Sequence, residues 1–223
     1  MCGRYNITYD IDELLGDLDL LMPDFEFEPR YNIAPSQRLP IISSDAPKEL
    51  KLYRWGLVPF WAKDPKIGYK MINARGETIA QKPAFRNAYK KRRCLIPATG
   101  FYEWQKTATG KQPMHIHLTT GKVMTFAGLW EIWEDAEERE MRSFTIITTT
   151  PNELMAPIHD RMPVIVAQED RADWLNTDLP PEEVQHLVKP FPDGYLQADR
   201  ISTKVNSPRN EGPEILDGPD TLF

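Results

Sequence analysis

The first strong periodicity in the chain predicts an amphipathic helix over residues 10–22. Apolar side chains recur there at every third or fourth position, which places them on one face of a helix. They are Ile11, Leu14, Leu15, Leu18 and Leu21. Asp10 followed three positions later by Glu13 fits a capping box, in which each side chain accepts a hydrogen bond from the other residue's backbone N–H. We therefore expect a capped helix close to the amino terminus.

Most of the remaining chain is typical of β-structure, because short runs rich in Val, Ile, Thr and aromatic residues alternate with turn residues. These runs predict strands at 39–43, 49–55, 94–96, 100–105, 114–119, 123–133, 143–149, 163–167 and 195–202. Short helices are expected at 83–93, 152–158, 169–175 and 181–188, whereas 29–40 is expected to be irregular. Strands joined by short turns favour antiparallel pairing, so the predicted fold class is α+β.

Length and composition favour a single compact domain. The chain has 223 residues, and a hydrophobic fraction of 41% with six tryptophans excludes a disordered protein. We place the domain at 1–212 and a flexible C-terminal tail at 213–223, since Pro, Gly, Asn and Asp are frequent beyond Val205. No apolar run approaches the ~20 residues of a membrane span, and the start MCGRYNITYD does not resemble a secretory signal. We expect no membrane contact and a reducing, cytoplasmic compartment.

The formal net charge of −6 conceals a strongly basic segment at 51–93. This segment has twelve Lys and Arg against two acids, Asp64 and Glu77, so its net charge is +10 and the rest of the chain carries −16. Such a split is typical of a protein whose basic surface binds polyanions. The alternative is that the run from Lys90 to Arg93 is only the solvated end of a helix.

Cys2 and Cys94 are the only cysteines, too few for a disulfide framework or a four-cysteine zinc site. Cys94 lies in an apolar run and is expected to be a small buried hydrophobe. Once Met1 is removed, Cys2 offers an α-amine of pKa ~8 and a thiol of pKa ~8.5, so both are partly available near neutral pH. Such an aminothiol condenses with an aldehyde to an imine and then closes a thiazolidine ring. By position alone, however, an incidental cysteine is the commoner case.

Eight segments, read together, resemble the SOS-response-associated peptidase (SRAP) family. In chain order they are MCGRY, YNIAPSQ, RWGLVPFW, INARGET, RRCLIPATGFYEW, AGLWE, ITTT and IHDRMPVI, and the resemblance spans Cys2 to about Gly212. It implies a compact α+β fold with a mainly antiparallel, barrel-like β core, flanking short helices and a DNA groove. It also implies covalent capture of abasic sites in single-stranded DNA by the amino-terminal cysteine.

The resemblance assigns four residues to the chemistry. Cys2 matches the family's nucleophile, Asn73 the polar residue beside it, Glu103 the acid/base and His159 the residue near the sugar. A carboxyl group among aromatic residues can reach a pKa near neutrality and shuttle the protons of imine formation. A neutral imidazole can protonate the sugar ring oxygen and open the ring to its aldehyde. Without the resemblance, Glu103 is most simply a carboxylate on a solvated strand face, and His159 a helix-end histidine.

A second group of residues is expected to bind the DNA. Its members are Arg4, Arg75, Phe60, Trp61, Thr148 and Arg161. The arginines match positions that grip backbone phosphates in the family, and the threonine supplies a hydroxyl. The two aromatic residues offer faces on which bases stack, unless the tryptophan belongs to the core. The expected partner is single-stranded DNA that contains abasic sites, bound by a monomer.

No metal or cofactor is expected. His115 and His117 alternate along a predicted strand and share one face, but no third ligand lies near them in sequence. We therefore expect both to be surface residues. A glycine-rich phosphate loop is also absent from the sequence.

Two other functions stay open at this stage. The family name records an amino-terminal-nucleophile peptidase, and Cys2, Glu103 and His159 are residue types that support acyl transfer. The basic segment, which a peptidase does not need, argues against it. The other alternative is a noncovalent single-strand binding module, in which Cys2 is dispensable. Whether strand scission by β-elimination accompanies covalent capture is also left open.

Overall fold

The structure is a computed structural model and describes residues 2–219. Its strands are β1 (Tyr5–Ile7), β2 (Arg30–Ile33), β3 (Arg38–Ser43), β4 (Leu50–Trp55), β5 (Asn73–Arg75), β6 (Arg93–Ala98), β7 (Gly100–Thr107), β8 (Gly110–Leu118), β9 (Met124–Glu134), β10 (Glu140–Thr149), β11 (Met162–Pro163) and β12 (Leu196–Arg200). Its α-helices are α1 (Ile11–Leu18), α2 (Arg86–Lys91), α3 (Arg171–Leu175) and α4 (Pro181–Val184). Short 3-10 helices cover Pro65–Lys70, Gly76–Thr78, Gln168–Asp170, Gln185–Leu187, Thr203–Asn206 and Pro213–Ile215. The predicted α+β class is confirmed.

Five strands close into a barrel. β10 pairs in parallel with β4, and antiparallel pairings then join β4 to β3, β3 to β6, β6 to β9 and β9 back to β10. Every strand of this ring therefore has a neighbour on both sides, which protects its backbone from pairing with other chains. The short strands β5 and β11 extend the sheet along β10, β5 in parallel and β11 antiparallel. The predicted barrel-like core is confirmed. It is mixed and not wholly antiparallel, because β10 pairs in parallel with β4 and β5.

A second, antiparallel sheet has the order β12-β8-β7-β1-β2 and packs on the barrel. Aromatic rings join the two layers: Tyr5 of β1 lies 5.3 Å from Trp55 of β4 and 5.9 Å from Phe126 of β9. Phe101 of β7 adds a third edge-to-face contact with Phe126, at 6.0 Å. Such pairs stabilise packing beyond the area they bury. Cys2 is fully buried in the same cluster, so this interface fixes the start of the chain.

Helix α1 has the predicted cap and a shorter body. The Asp10 carboxylate accepts from the Glu13 N–H at 2.8 Å, and the Glu13 carboxylate accepts from the Asp10 N–H at 3.2 Å, which confirms the capping box. The helix ends at Leu18 because Asp19 adopts a left-handed conformation with φ of 52°. Met22 precedes a proline, a position that disfavours helix, and it lies 67% exposed. The predicted end at residue 22 is therefore wrong.

Other sequence-based boundaries differ for local reasons. The predicted helix at 152–158 is wrong: Asn152 accepts from the Met155 N–H through its side chain at 3.0 Å, and a run of turns replaces the helix. Of the predicted strand at 163–167, only Pro163 belongs to β11, and Ile165 forms an isolated bridge with Phe126. Strand β2 lies within 29–40, which was expected to be irregular. The very short strands β1 and β5 were not predicted.

Cys94 is fully buried in the core cluster, which confirms its prediction as a small hydrophobe. His115 differs from its prediction as a surface residue, because only 7% of it is exposed. It stacks on His117 with 4.9 Å between ring centres, and its Nε2 lies 3.3 Å from the Asn6 Oδ1. Burial lowers the pKa of His115 to about 3, so it is a neutral core histidine.

Within residues 2–219, no group of three or more His, Cys, Asp or Glu side chains is arranged to hold a metal ion. The helices of this range are too short or too polar to cross a membrane. The range predicted to be a flexible tail begins at 213, yet Ile215 is fully buried against Tyr102, Ile201 and Val205. Packed structure thus continues into that range, and residues 220–223 lie outside the described part of the chain.

Candidate active site

Cys2 and Asn73 meet at the start of the chain. Asn73 opens β5, which lies beside Ile146 of β10, and its Nδ2 donates to the Cys2 carbonyl oxygen at 2.8 Å. The residue type suits this task, since an amide orients a neighbour without acting as a base. These two residues are 71 positions apart in sequence. The parallel pairing of β5 with β10 therefore holds the Cys2 backbone in place.

Glu103 reaches the same place through the second sheet. Tyr5 faces Phe101 across β1 and β7, and the Tyr102 N–H donates to the Arg4 carbonyl at 3.0 Å. Continuing this antiparallel register places Glu103 opposite Gly3, the residue that follows Cys2. The charge of Glu103 acts on the Cys2 thiol, so the two side chains lie close together. Glu103 is only 3% exposed, so the reading of a carboxylate on a solvated face is wrong. Burial raises the pKa of Glu103 to about 7, with the charge of Asp160 acting in the same direction.

His159 lies close to Glu103. Its Nε2 is 3.8 Å from the Glu103 Oε2, and its Nδ1 accepts from the Arg161 N–H at 3.0 Å. Burial lowers the pKa of His159, which favours the neutral ring. With Nδ1 accepting, the proton of the neutral ring resides on Nε2, the nitrogen that faces Glu103. If Nδ1 carried the proton instead, it would donate to the Asp160 Oδ1, which lies 2.9 Å away.

The Cys2 thiol differs from its sequence-based expectation. Burial raises the pKa of the Cys2 thiol well above the usual range, and the charge of Glu103 raises it further. The neutral thiol therefore dominates near pH 7, whereas an exposed amino-terminal cysteine would be partly ionised. Any chemistry at the sulfur requires a base that removes its proton, and Glu103 is the carboxyl group whose charge acts on it.

Two of the predicted DNA-binding arginines already have protein partners. Arg4 donates to the Asn32 Oδ1 at 2.6 Å and to the Val205 carbonyl at 2.9 Å. Its guanidinium carbon also lies 6.0 Å from the centre of the Trp104 ring. Arg161, only 9% exposed, donates to the Thr148 carbonyl oxygen at 2.6 Å. These contacts fix the direction in which each guanidinium points.

The Thr148 side chain is fully buried, and its Oγ1 lies 3.3 Å from the Arg161 Nη2. Arg75, in contrast, is exposed at the end of β5, two positions beyond Asn73. The loop that follows β4 presents Phe60 and Trp61, which are 58% and 48% exposed. The alternative that Trp61 belongs to the core is therefore wrong. The structure thus brings an exposed cation close to Asn73 and leaves two aromatic faces open to solvent.

Sequence reasoning counted Glu77 only as one of two acids in a basic segment. In the structure its carboxylate holds the Arg161 guanidinium with two short contacts, of 2.6 and 2.9 Å. Its place in the segment INARGET, only four positions after Asn73, is the sequence feature that could have marked Glu77 as part of the site. Asn32 was also missed, although it orients Arg4 and lies in the segment YNIAPSQ.

Comparison with known proteins assigns the chain to a family. It matches the SOS response associated peptidase (SRAP) family over residues 1–208. It is 45% identical over 222 residues to the "Abasic site processing protein YoqW" of Bacillus subtilis, covering 97% of this chain and 99% of that protein. It is 30% identical over 224 residues to the "Abasic site processing protein HMCES" of Xenopus tropicalis, covering 86% and 66%. A crystal structure of a protein from Bacteroides thetaiotaomicron matches with a TM-score of 0.89 and 30% identity, covering 97% of this chain and 99% of that one. On its sequence, its barrel and its motifs, this chain is a member of the SRAP family.

Proposed function

We propose that this protein processes abasic sites in single-stranded DNA and binds them covalently through Cys2 once Met1 is removed. The observation that carries the proposal is a chain of contacts at Cys2: Asn73 donates to its carbonyl oxygen, the charge of Glu103 acts on its thiol, and His159 lies 3.8 Å from Glu103. The names of the similar proteins from Bacillus subtilis and Xenopus tropicalis refer to abasic-site processing, which supports the same substrate. An abasic site carries a sugar whose open form is an aldehyde, and an aldehyde is the group with which an aminothiol condenses.

The α-amine acts before the thiol in this mechanism. Burial keeps the Cys2 thiol protonated, whereas an α-amine has an ordinary pKa of ~8 and is partly neutral near pH 7. The amine nitrogen attacks the aldehyde carbon, and loss of one water leaves an imine. Glu103 shuttles the protons of addition and dehydration, because a carboxyl group with a pKa of about 7 both gives and takes protons near neutrality.

Ring closure follows from the same geometry. Glu103 removes the thiol proton, the sulfur bonds to the imine carbon, and the carbon–nitrogen double bond becomes single as its nitrogen takes up a proton. The product is a thiazolidine, with no further loss of atoms after the water released at the imine stage. Because β-elimination of the neighbouring phosphate requires the imine, ring closure suppresses strand scission. We therefore propose lyase activity only as a minor branch at the imine.

His159 prepares the aldehyde. A closed deoxyribose opens when its ring oxygen gains a proton and its anomeric hydroxyl loses one. The neutral His159 ring carries its proton on Nε2, so it can donate to the ring oxygen, and the adjacent Glu103 can accept the hydroxyl proton. The His159 Nε2 and the Glu103 Oε2 are 3.8 Å apart, which suits proton transfer to and from the two oxygens of one sugar.

The DNA contacts are assigned by exposure. The exposed Arg75 contacts a phosphate, while Phe60 and Trp61 stack on bases, an interaction that accepts single strands of any sequence. Arg4 and Arg161 also contact phosphates, each through those guanidinium N–H groups that donate to no protein acceptor. Thr148 contributes indirectly, because its carbonyl oxygen holds Arg161 in position. We propose that the protein acts on this DNA as a monomer in the cytoplasm, near the nucleoid if the host is a bacterium.

The test is to incubate the protein lacking Met1 with an oligonucleotide that contains one abasic site. Mass spectrometry should show protein plus oligonucleotide minus one water, with the modification on Cys2. Borohydride should not add two hydrogens to the product, since a thiazolidine has no carbon–nitrogen double bond. Cys94→Ala is the matched control, because it removes the other thiol, which is buried in the core. A denaturation-resistant adduct mapped to a lysine would overturn the proposal.

The peptidase alternative needs an activated Cys2 nucleophile, and Glu103 is as available to deprotonate the thiol for acyl transfer as for ring closure. The net charge of +10 on residues 51–93, which a peptidase does not need, favours the reaction on DNA. Incubating the same preparation with a peptide library, and looking for cleavage products, distinguishes this alternative from covalent DNA capture.

A further inference from the structure

Glu77 and Arg161 form a two-point ion pair beside the candidate active site. The Glu77 Oε1 lies 2.6 Å from the Arg161 Nη1, and the Oε2 lies 2.9 Å from the Nη2. Two parallel contacts of this kind fix the orientation of a guanidinium as well as its position. The arginine side of the pair is 11% exposed, and the hydrogen bond to Arg161 lowers the pKa of Glu77, which keeps the carboxylate ionised.

Arg161 connects this pair to His159. Its Nη2 donates to the Thr148 carbonyl at the end of β10, so the guanidinium ties the segment to the barrel. Its backbone N–H donates to the His159 Nδ1 at 3.0 Å. That bond determines which ring nitrogen of the neutral histidine carries the proton. An anchored guanidinium therefore holds the backbone that sets the His159 tautomer.

The other end of the pair belongs to the segment that holds Cys2. Glu77 lies in the 3-10 helix Gly76–Thr78, which directly follows β5. Asn73 of β5 donates to the Cys2 carbonyl at 2.8 Å. The ion pair therefore joins the segment that positions the nucleophile to the segment that positions the histidine, two parts of the chain that are 84 residues apart.

We infer that Glu77 is a positioning residue for the proposed reaction, and that it acts through Arg161 on His159. The kinetic test of this inference rests on the proposed function, because it measures the rate of adduct formation. The competing explanation is that Glu77 only offsets the charge of Arg161 near the DNA. The two explanations predict different results. Loss of positioning slows adduct formation with DNA already bound, whereas loss of a negative charge alone strengthens DNA binding and leaves that step unchanged.

Two substitutions test the inference. Glu77→Ala removes the pair, and Glu77→Gln keeps the length and one acceptor but not the charge. We measure the Kd for an oligonucleotide with a tetrahydrofuran residue, which cannot form an imine, and the single-turnover rate of adduct formation at saturating protein. Small misplacements of reacting groups cost up to ~100-fold in rate, so we expect a fall of about 10-fold for Glu77→Ala and a smaller fall for Glu77→Gln. The Kd should be unchanged or lower in both.

A readout on the protein alone separates this inference from the proposed function. In the wild type, the ¹⁵N NMR shifts of His159 should show the proton on Nε2, and Glu77→Ala should give a mixture of tautomers. Glu137→Gln is the matched control, because it breaks an exposed pair with Arg139 at 2.7 Å and makes the same charge change; its rate should equal that of wild type. Wild-type His159 shifts together with a wild-type rate in Glu77→Ala would overturn the inference, as would tighter DNA binding with an unchanged rate. If the wild type forms no adduct, the proposed function fails, and the His159 shifts still decide the role of Glu77. If Glu77→Ala does not fold, Glu77→Gln gives the same decision.

Discussion

Glu103→Gln should make the stability of the protein less dependent on pH. Burial raises the pKa of Glu103 from 4.5 to about 7, so the folded state binds a proton that the unfolded chain has already released between those values. The contribution of Glu103 to stability is therefore fully present below pH 4.5 and is lost as the pH rises through about 7. At 1.36 kcal/mol for each pKa unit, the loss amounts to about 3 kcal/mol. An amide stays neutral throughout and avoids this loss.

The measurement is urea unfolding of wild type and Glu103→Gln at pH 5 and pH 8. The free energy of unfolding of the variant, relative to wild type, should be higher at pH 8 than at pH 5 by a few kcal/mol. Glu137→Gln, which alters an exposed carboxylate in the turn between β9 and β10, controls for the change of charge. Parallel pH curves for wild type and Glu103→Gln would show that the carboxyl is not desolvated, and its assignment as a proton shuttle near neutral pH would fall with that result.

Three further predictions concern function. Cys2→Ser should leave only a reversible adduct that borohydride traps, because the hydroxyl closes the ring poorly; a heat-stable unreduced crosslink at the wild-type level would refute ring closure. A variant that retains Met1 should form no stable adduct by mass spectrometry, and an adduct of normal yield would point to another nucleophile. Arg75→Ala should weaken binding equally on all sequences and reduce the salt dependence by about 0.7 in the slope of log K against log salt, whereas a sequence-selective loss would mean that Arg75 reads bases.

The sequence predicted those parts of the fold that depend on neighbouring residues. The capping box at Asp10 and Glu13 is a local pattern, and so are the alternating runs that became β7, β9 and β10. Three-residue strands such as β1 and β5 carry too few positions to show a period, and their pairing with distant strands decides their conformation. At 152–158 the local pattern predicted a helix that does not form. The Asn152 side chain competes with the helix for backbone N–H groups, and turns result.

Burial of Cys2 is the property of the site that sequence reasoning failed to predict. The environment of Glu103, and with it a pKa near neutrality, was expected from the aromatic residues around it in sequence, but an amino-terminal cysteine looks exposed in any one-dimensional description. In the fold, Cys2 is fully buried in the core cluster, and burial raises the pKa of both the Cys2 thiol and the Glu103 carboxyl. It holds the thiol in its unreactive form and makes the carboxyl an effective proton carrier near neutral pH.

The order of chemical events in the proposed mechanism follows from this burial. A thiolate at the amino terminus would react early with any aldehyde, disulfide or oxidant that reached it. In the proposed mechanism, a buried thiol that depends on Glu103 for deprotonation reacts only after the amine has captured an aldehyde, when the carbon it attacks is already held next to it. We therefore propose that selectivity for an aldehyde on DNA arises from keeping the sulfur unreactive until the imine exists. Asn73 and the Glu77–Arg161 pair support this order, since they fix the backbone of Cys2 and the His159 ring before substrate arrives.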